Sequence, residues 1–442
     1  MLRVVWLSVF GAIVAAPALA YLAVPPTPIL APDGLWHRLA ELTGLLALSA
    51  MVCTAVLPSR LRSLNRAFGI ESVIDMHRFL GIVTAALVFA HLACVVAANP
   101  ANIALLDLVR APLRAQAATM STLSLVALAA LALLRQRARL SYETWRWSHV
   151  ALAASSLAFA GLHVWGLGQL MLDSTFATLF SLMALMLVVV FGYRWAWRSM
   201  FDPSTEFVVR DVRRENKTVS TLVLEPRCRG GAYSAPWAFA PGQFAWIRLE
   251  RSVIAEEHPF TIASSAHWGT TEFTIRHAGD FTKAIHRLPP GSPVWVDGPH
   301  GAFTNDLDDA TGFVLIAGGV GITPMMSMLR TAAQRGDTRP YRLIVVASKP
   351  EDLLFRAELG RLRFRLDLEV TEVLRRPSPG WSGHTGDIGV ELMSVALAGA
   401  EQPTSFEFFI CGPPALVNDA ISVLDVIGVA PRHVHTEQFD FA

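Results

Sequence analysis

Four histidines stand in two apolar stretches of the chain, His77 and His91 in one, His149 and His163 in the other. The members of each pair are fourteen residues apart. An α-helix completes four turns in about 14.4 residues, so both members of a pair fall on nearly the same face, roughly 21 Å apart along the axis. That rise is about two-thirds of the hydrocarbon thickness of a bilayer. Two such helices running in the same sense offer two His–His pairs, His77 with His149 and His91 with His163, one near each membrane face. Two imidazoles on opposite sides of one iron give a six-coordinate haem suited to moving single electrons. One histidine in a buried helix can simply hydrogen-bond a neighbour, but one spacing repeated in two helices points to ligation. Ionisable residues at membrane depth are in any case a functional signal. His37 and His286 lack such partners and read as surface residues.

The elements that would position these histidines are legible in the hydropathy. The 442 residues are 53% hydrophobic and 17% charged, where a soluble domain carries about 25% charge. The deficit is confined to the first 200 residues, which read as a six-helix transmembrane bundle with apolar runs at about 4–24, 35–57, 76–98, 117–134, 146–168 and 175–197. The first run, followed by Ala-Pro-Ala-Leu-Ala, imitates a signal peptide and is expected to be a retained helix, because five more runs follow. Arg60, Arg62 and Arg66 follow the second run, Arg135, Arg137 and Arg139 the fourth, and Arg194 and Arg198 end the sixth. Arg110 and Arg114, after the third, are a mild exception. Basic loops stay inside, so both termini and the polar half of the chain are expected on the cytoplasmic side of a bacterial inner membrane. A net charge of +1 favours neither nucleic acid nor an acidic partner, and Cys53, Cys94, Cys228 and Cys411 form no CxxC pair, so neither a disulfide framework nor a zinc site is indicated.

The rest of the chain divides by pattern. Residues 201–308 carry six short strands with turn signals, including Phe260 to Ala263 and Glu272 to His277, which predicts a small antiparallel β-barrel. Residues 309–442 alternate strands and helices, which predicts an α/β doubly wound parallel sheet. In the first region, His258-Pro259-Phe260-Thr261 opens a strand; downstream, Arg276 offers a fixed cation, and Gly279-Asp280-Phe281-Thr282 opens a helix that Thr282 can cap. In the second, Gly318-Gly319-Val320-Gly321-Ile322-Thr323-Pro324 joins a buried strand to a helix, the context in which glycines admit a pyrophosphate. Cys411-Gly412-Pro413-Pro414 closes the last strand of that sheet and should face a nicotinamide, although a cysteine there can also be a small core residue. Lys349 follows the second strand, where a cation would select a 2′-phosphate, with Glu351 and Asp352 just after it. Near the C-terminus, Glu437-Gln438-Phe439 supplies an aromatic able to stack on a flavin, with Phe441 as competitor.

Together these motifs resemble the NADPH oxidase and ferric reductase superfamily over nearly the whole chain: the two histidine pairs, HPFT at 258–261, IRxxGDFT at 275–282, DGPHG at 297–301, GGVGITP at 318–324, CGPP at 411–414 and ExF at 437–439. The resemblance implies a domain of residues 1–200 holding two b-type haems, an FAD domain of 201–308 and an NAD(P)H domain of 309–442. It implies electrons carried from cytoplasmic NADPH, or NADH, through FAD to oxygen or a ferric chelate on the outer face. Thr323, Cys411 and Phe439 take the places nearest the hydride. With no calcium-binding domain and no long outer loop in the sequence, it resembles a minimal bacterial form that needs no regulatory subunit. In the oxygen-reducing branch a second polar residue often follows the outer ligand of the third span, where this chain has Cys94 and Val95. A channel or carrier with a nucleotide-sensing domain is the alternative; it needs a polar path through the spans, whose polarity is concentrated at the paired histidines.

Overall fold

A computed structural model describes residues 2–23, 34–135, 137, 142–202, 205–227, 237–252, 255–398 and 403–438. The chain forms two compact units, Met1–Ser199 and Met200–Ala442.

Among the described residues, six helices are long and apolar enough to cross a membrane. They are Leu2–Ala23, Gly34–Val56, Ile70–Ala98, Leu113–Leu134, Tyr142–Gly166 and Ser174–Phe191, the last continuing as a π-helical turn, Gly192–Trp197. Between helices this apolar, close packing and a few buried hydroxyls supply the cohesion. The second span packs along the third, with Thr54 and Thr84 hydroxyls 3.4 Å apart. The fourth packs along the fifth, with Ser121 donating to the Ser156 carbonyl at 2.8 Å and Ser156 to the Ser121 carbonyl at 3.1 Å. The third and fifth spans make no such extended contact. Within the six-helix bundle, the histidine-bearing third and fifth spans thus belong to two different closely packed pairs.

The second unit holds two sheets. The first contains β1 (Glu206–Arg214), β2 (Val219–Pro226), β3 (Phe244–Arg248), β4 (Glu257–Thr261), β5 (Thr271–Arg276) and β6 (Pro293–His300), in the order β4-β3-β6-β1-β2-β5 and antiparallel throughout. Ile262, just beyond β4, bridges to Phe273 of β5, and this closes the sheet into a barrel. Phe207, Leu222, Leu224, Ile247, Ile262, Phe273 and Val294 fill it. The sequence pattern put the fourth strand at 260–263, but it forms at Glu257–Thr261 and includes Pro259. Proline lacks a ladder donor and is tolerated at the margin of a sheet, and β4 is the marginal strand in this order.

The second sheet contains β7 (Phe313–Gly318), β8 (Tyr341–Ala347), β9 (Leu368–Leu374), β10 (His384–Thr385), β11 (Glu407–Gly412) and β12 (Val434–Gln438), in the order β10-β9-β8-β7-β11-β12, all parallel. Alternation assigns its two faces. Phe313, Leu315, Ala317, Phe409 and Cys411 join a core with helix Ile322–Arg335. Val314, Ile316, Phe408 and Ile410 join another with helices Val390–Ala396 and Pro414–Val426. Helices cover both faces, as a doubly wound sheet requires. The order reverses between β7 and β11, and ligands of such sheets bind at the carboxyl ends of the strands at that reversal.

Candidate functional site

In the membrane unit the four histidines meet in two pairs. The rings of His77 and His149 have centroids 6.1 Å apart with planes at 57°. Those of His91 and His163 are 6.5 Å apart at 66°. A metal about 2 Å from each imidazole nitrogen, itself about 1 Å from its ring centre, separates two centroids by about 6 Å. Both gaps match that span. Because 77 pairs with 149 and 91 with 163, the third and fifth spans run in the same sense, as the order of the apolar runs and their basic loops led one to expect.

The other ring nitrogens are held by the backbone. His77 Nδ1 lies 2.9 Å from the Thr54 carbonyl, His91 Nδ1 2.7 Å from that of Ala40, and His163 Nδ1 2.9 Å from that of Arg114. A carbonyl only accepts, so each Nδ1 carries the proton and each Nε2 keeps a lone pair. A metal-bound histidine usually donates its other ring N–H to a carbonyl in this way, which fixes the ring's orientation. His149 Nδ1 is buried without a hydrogen-bond partner among the described residues. Two glycines make room for the His91–His163 pair: a Cβ on Gly44 would lie 2.9 Å from His91 Nδ1, and one on Gly166 2.7 Å from Arg114 Cβ. Neither was apparent from the sequence, because each meets a residue far along the chain. The donor set, the ring spacing and the separation of the two helix pairs all fit bis-histidine haem.

In the barrel, Phe281 of the GDFT segment packs on both aromatic groups of HPFT. Its ring centre lies 4.4 Å from that of His258 and 6.3 Å from that of Phe260, nearly coplanar with the latter at 12°. Thr261 Oγ1 is buried with no hydrogen-bond partner among the described residues. A hydroxyl left so is costly unless something satisfies it. Thr282 accepts from the backbone N–H groups of Ala278 and Gly279 at 2.9 and 3.0 Å and so caps the short helix Asp280–His286. Those two amides are thereby used. Arg276, exposed at the end of β5, makes no ion pair among the described residues. Its Nη2 lies 2.8 Å from where a Cβ of Gly319 would be. An unneutralised cation, an unsatisfied hydroxyl and an aromatic wall fit a flavin with its pyrophosphate.

Arg276 therefore meets the glycine turn of the second sheet. Gly319 has φ +57°, open to glycine at little cost. Gly321 backs onto the Cys411 carbonyl, 2.3 Å from where its Cβ would sit. A Cβ on Gly318 would lie 2.9 Å from Pro413 Cδ and 3.6 Å from Gly412 Cα. The two motifs thus interlock at the reversal of strand order, as their sequence positions implied. Two residues expected near the hydride, Thr323 and Cys411, lie at this turn. The Thr323 hydroxyl donates back to the Val320 carbonyl at 2.9 Å, and Thr323 is buried with Pro324 in the first turn of its helix. Cys411 is fully buried in the core and presents its carbonyl, not its thiol, at the turn. Both residues shape the turn. Lys349 is exposed just after β8, and the Arg376 amide donates to the Ser348 carbonyl at 2.9 Å, bringing a second exposed cation to that edge. Phe439 and Phe441 lie outside the described residues; β12 ends at Gln438, paired with Gly412.

A bundle with paired histidines joined to a barrel and a doubly wound sheet defines a membrane-associated flavin and nicotinamide oxidoreductase. Family models match three successive stretches: a ferric reductase like transmembrane component over residues 43–160, an FAD-binding domain over 227–303 and an oxidoreductase NAD-binding domain over 315–421. The chain is 31% identical over 214 residues to ferredoxin–NADP reductase B of Sorangium cellulosum, a match covering 46% of this chain and 86% of that protein. It is 30% identical over 203 residues to the sulfhydrogenase 1 gamma subunit of Pyrococcus furiosus, covering 45% and 67%. Among solved structures, the flavohem-like FAD/NAD-binding domain of nitric oxide dioxygenase from Vibrio cholerae aligns with a TM-score of 0.46 at 22% identity, covering 53% of this chain and 98% of that one. The chain has the architecture of the NADPH oxidase and ferric reductase type, a ferric-reductase-like transmembrane component fused to FAD-binding and NAD-binding modules.

Proposed function

We propose that the chain takes electrons from NADPH on the cytoplasmic side, with NADH a poorer donor, and delivers them across the membrane to oxygen or a ferric chelate. The observation that carries the transmembrane step is the pair of ring separations, 6.1 and 6.5 Å, on helices of one sense. When bound, FAD takes up a hydride and releases its electrons singly, and two b-type haems carry them one at a time. His77 and His149 hold the inner iron, His91 and His163 the outer. The carbonyls of Thr54, Ala40 and Arg114 keep three of these rings in the ligating tautomer.

Around the flavin, His258, Pro259, Phe260 and Thr261 line one side, Gly279 and Thr282 build the adjoining turn, and Arg276 neutralises pyrophosphate charge. Gly318, Gly319 and Gly321 admit the nucleotide pyrophosphate, Thr323 and Pro324 fix the helix start, and Cys411, Gly412 and Pro413 form the opposite wall. Lys349 would read the 2′-phosphate; Phe439, expected from the sequence to stack on the flavin, lies outside the described residues. Domain limits at 200 and 308 follow from this division of labour. Basic residues near the ends of the second, fourth and sixth spans support a cytoplasmic dehydrogenase half. Anaerobic NADPH oxidation by purified protein with ferric citrate, and aerobic oxidation without it, test the reading. Ferrous iron or superoxide must form in proportion to NADPH consumed; NADPH oxidation with neither product contradicts it.

A further inference from the structure

One arginine fastens the segment after the HPFT motif to the helix after the glycine turn. Arg330 lies in the third turn of helix Ile322–Arg335, its side chain 2% exposed. Its Nη1 donates to the Ala263 carbonyl at 2.7 Å and to Glu272 Oε2 at 3.2 Å. Its Nε and Nη2 donate to the two oxygens of Glu358 at 2.8 and 2.7 Å. The rings of Trp268 and Phe355 each lie 5.2 Å from the guanidinium carbon. Ala263, Trp268 and Glu272 belong to the barrel; Phe355 and Glu358 belong to the nucleotide sheet and its helices. Arg213 of β1 binds Glu272 as well, at 2.8 Å.

The same helix face continues the joint. Ser327 donates to the Ser264 carbonyl at 2.8 Å, Thr331 Oγ1 accepts from the Ala266 amide at 3.1 Å, and Gln334 accepts from Ser265 at 2.8 Å. Positions 327, 330, 331 and 334 form one helical stripe. Such a stripe against a neighbour is normally apolar. Here it is polar, and its bonds are directional. Apolar contacts let two bodies slide, whereas a guanidinium fork bonded on both edges holds one orientation.

We propose that Arg330 is a positioning residue for hydride transfer, fixing the angle between barrel and nucleotide sheet and so the approach of nicotinamide to flavin. The inference rests on the reading of the chain as an NAD(P)H-dependent flavoprotein. In the step concerned, the C4–H bond of the dihydronicotinamide breaks and the hydride carries both electrons to the flavin; the nicotinamide is oxidised and the flavin reduced. Placement governs such a step steeply, and an error of about 1 Å costs about a hundredfold.

The test compares Arg330→Lys with the unaltered full-length chain. Lysine keeps the charge and loses the fork. Flavin content and the NADP⁺ dissociation constant are expected within about twofold of the unaltered protein. The limiting rate of anaerobic flavin reduction by NADPH, per bound flavin, is expected to fall about ten- to a hundredfold. Amide hydrogen exchange at residues 263–266 is expected to quicken, a readout independent of turnover. A limiting rate within twofold of the unaltered chain overturns the proposal, because the joint is then only structural. Should Arg330→Lys fail to fold, Glu272→Gln replaces the barrel carboxylate that Arg330 Nη1 reaches at 3.2 Å, and the same limits decide. Flavin that NADPH does not reduce in the unaltered chain overturns the functional reading instead, a result distinct from an unchanged rate in the variant.

Discussion

Gly44→Ala is the sharpest probe of the outer histidine pair. Gly44 lies on the second span, and the added Cβ would stand 2.9 Å from His91 Nδ1 and 3.0 Å from its Cε1. Ordinary contact needs about 3.5–4.0 Å, so ring or helix must yield by roughly 0.6 to 1 Å. The ring is tied one turn away, where Nδ1 donates to the Ala40 carbonyl at 2.7 Å. It can give way only by losing that bond or by swinging from His163. Losing an outer-shell partner of a metal-bound histidine lowers metal affinity about 10- to 100-fold. The outer haem should therefore be lost or bound weakly, while the inner one, whose histidine contacts the Thr54 carbonyl instead, is kept. The assay is the haem to flavin ratio by pyridine haemochrome and flavin absorbance, with Gly11→Ala as control, since a Cβ there meets nothing within 4 Å. Two haems per flavin with an unaltered spectrum in Gly44→Ala would refute the placement of His91.

Two further outcomes follow from the soluble half. Lys349→Ala should raise the NADPH Michaelis constant about tenfold, the lower range of a charge-assisted hydrogen bond, and change the NADH constant less than twofold; steady-state kinetics with both donors checks this, and equal effects show a merely solvated charge. Burial works to raise the Glu407 carboxyl, but hydrogen bonds from His433 and His435 at 2.7 and 2.8 Å hold it below the usual range. A carboxyl lowered on folding contributes stability that is present above its unfolded pKa of about 4.3 and lost as pH falls through the folded value. Melting of Glu407→Gln should fall below that of the unaltered protein at pH 7 and converge with it near pH 3; a gap independent of pH would contradict the assignment.

What could be read from the sequence was whatever local period encodes. Histidines at one repeated spacing fix their own face, the order of the spans fixes their sense, and alternation in β7 and β11 assigns their residues to two cores. Glycine turns between strand and helix announce themselves for the same reason. Features that depend on distant contacts were not legible. Gly44 is an ordinary glycine of an apolar run until His91, 47 residues on, is laid against it. Arg330 in a helix reads as a solvated charge, because its barrel partners Ala263, Trp268 and Glu272 are far along the chain. Val434–Gln438 has too few apolar residues to declare a strand, and it forms by pairing with β11. Thr323 and Cys411 sit where the motifs put them, but a motif states position and not packing; here the Cys411 carbonyl lies against Gly321.

The measurement that tests the central claim most directly is the haem content of the purified full-length chain and of its single histidine variants. The unaltered protein should bind two b-type haems per flavin, with the reduced spectrum of six-coordinate iron. His91→Leu or His163→Leu should retain one haem, together with full flavin reduction by NADPH, because hydride transfer to the flavin does not pass through that haem. Two haems remaining in His91→Leu, or none in the unaltered protein, would contradict the account.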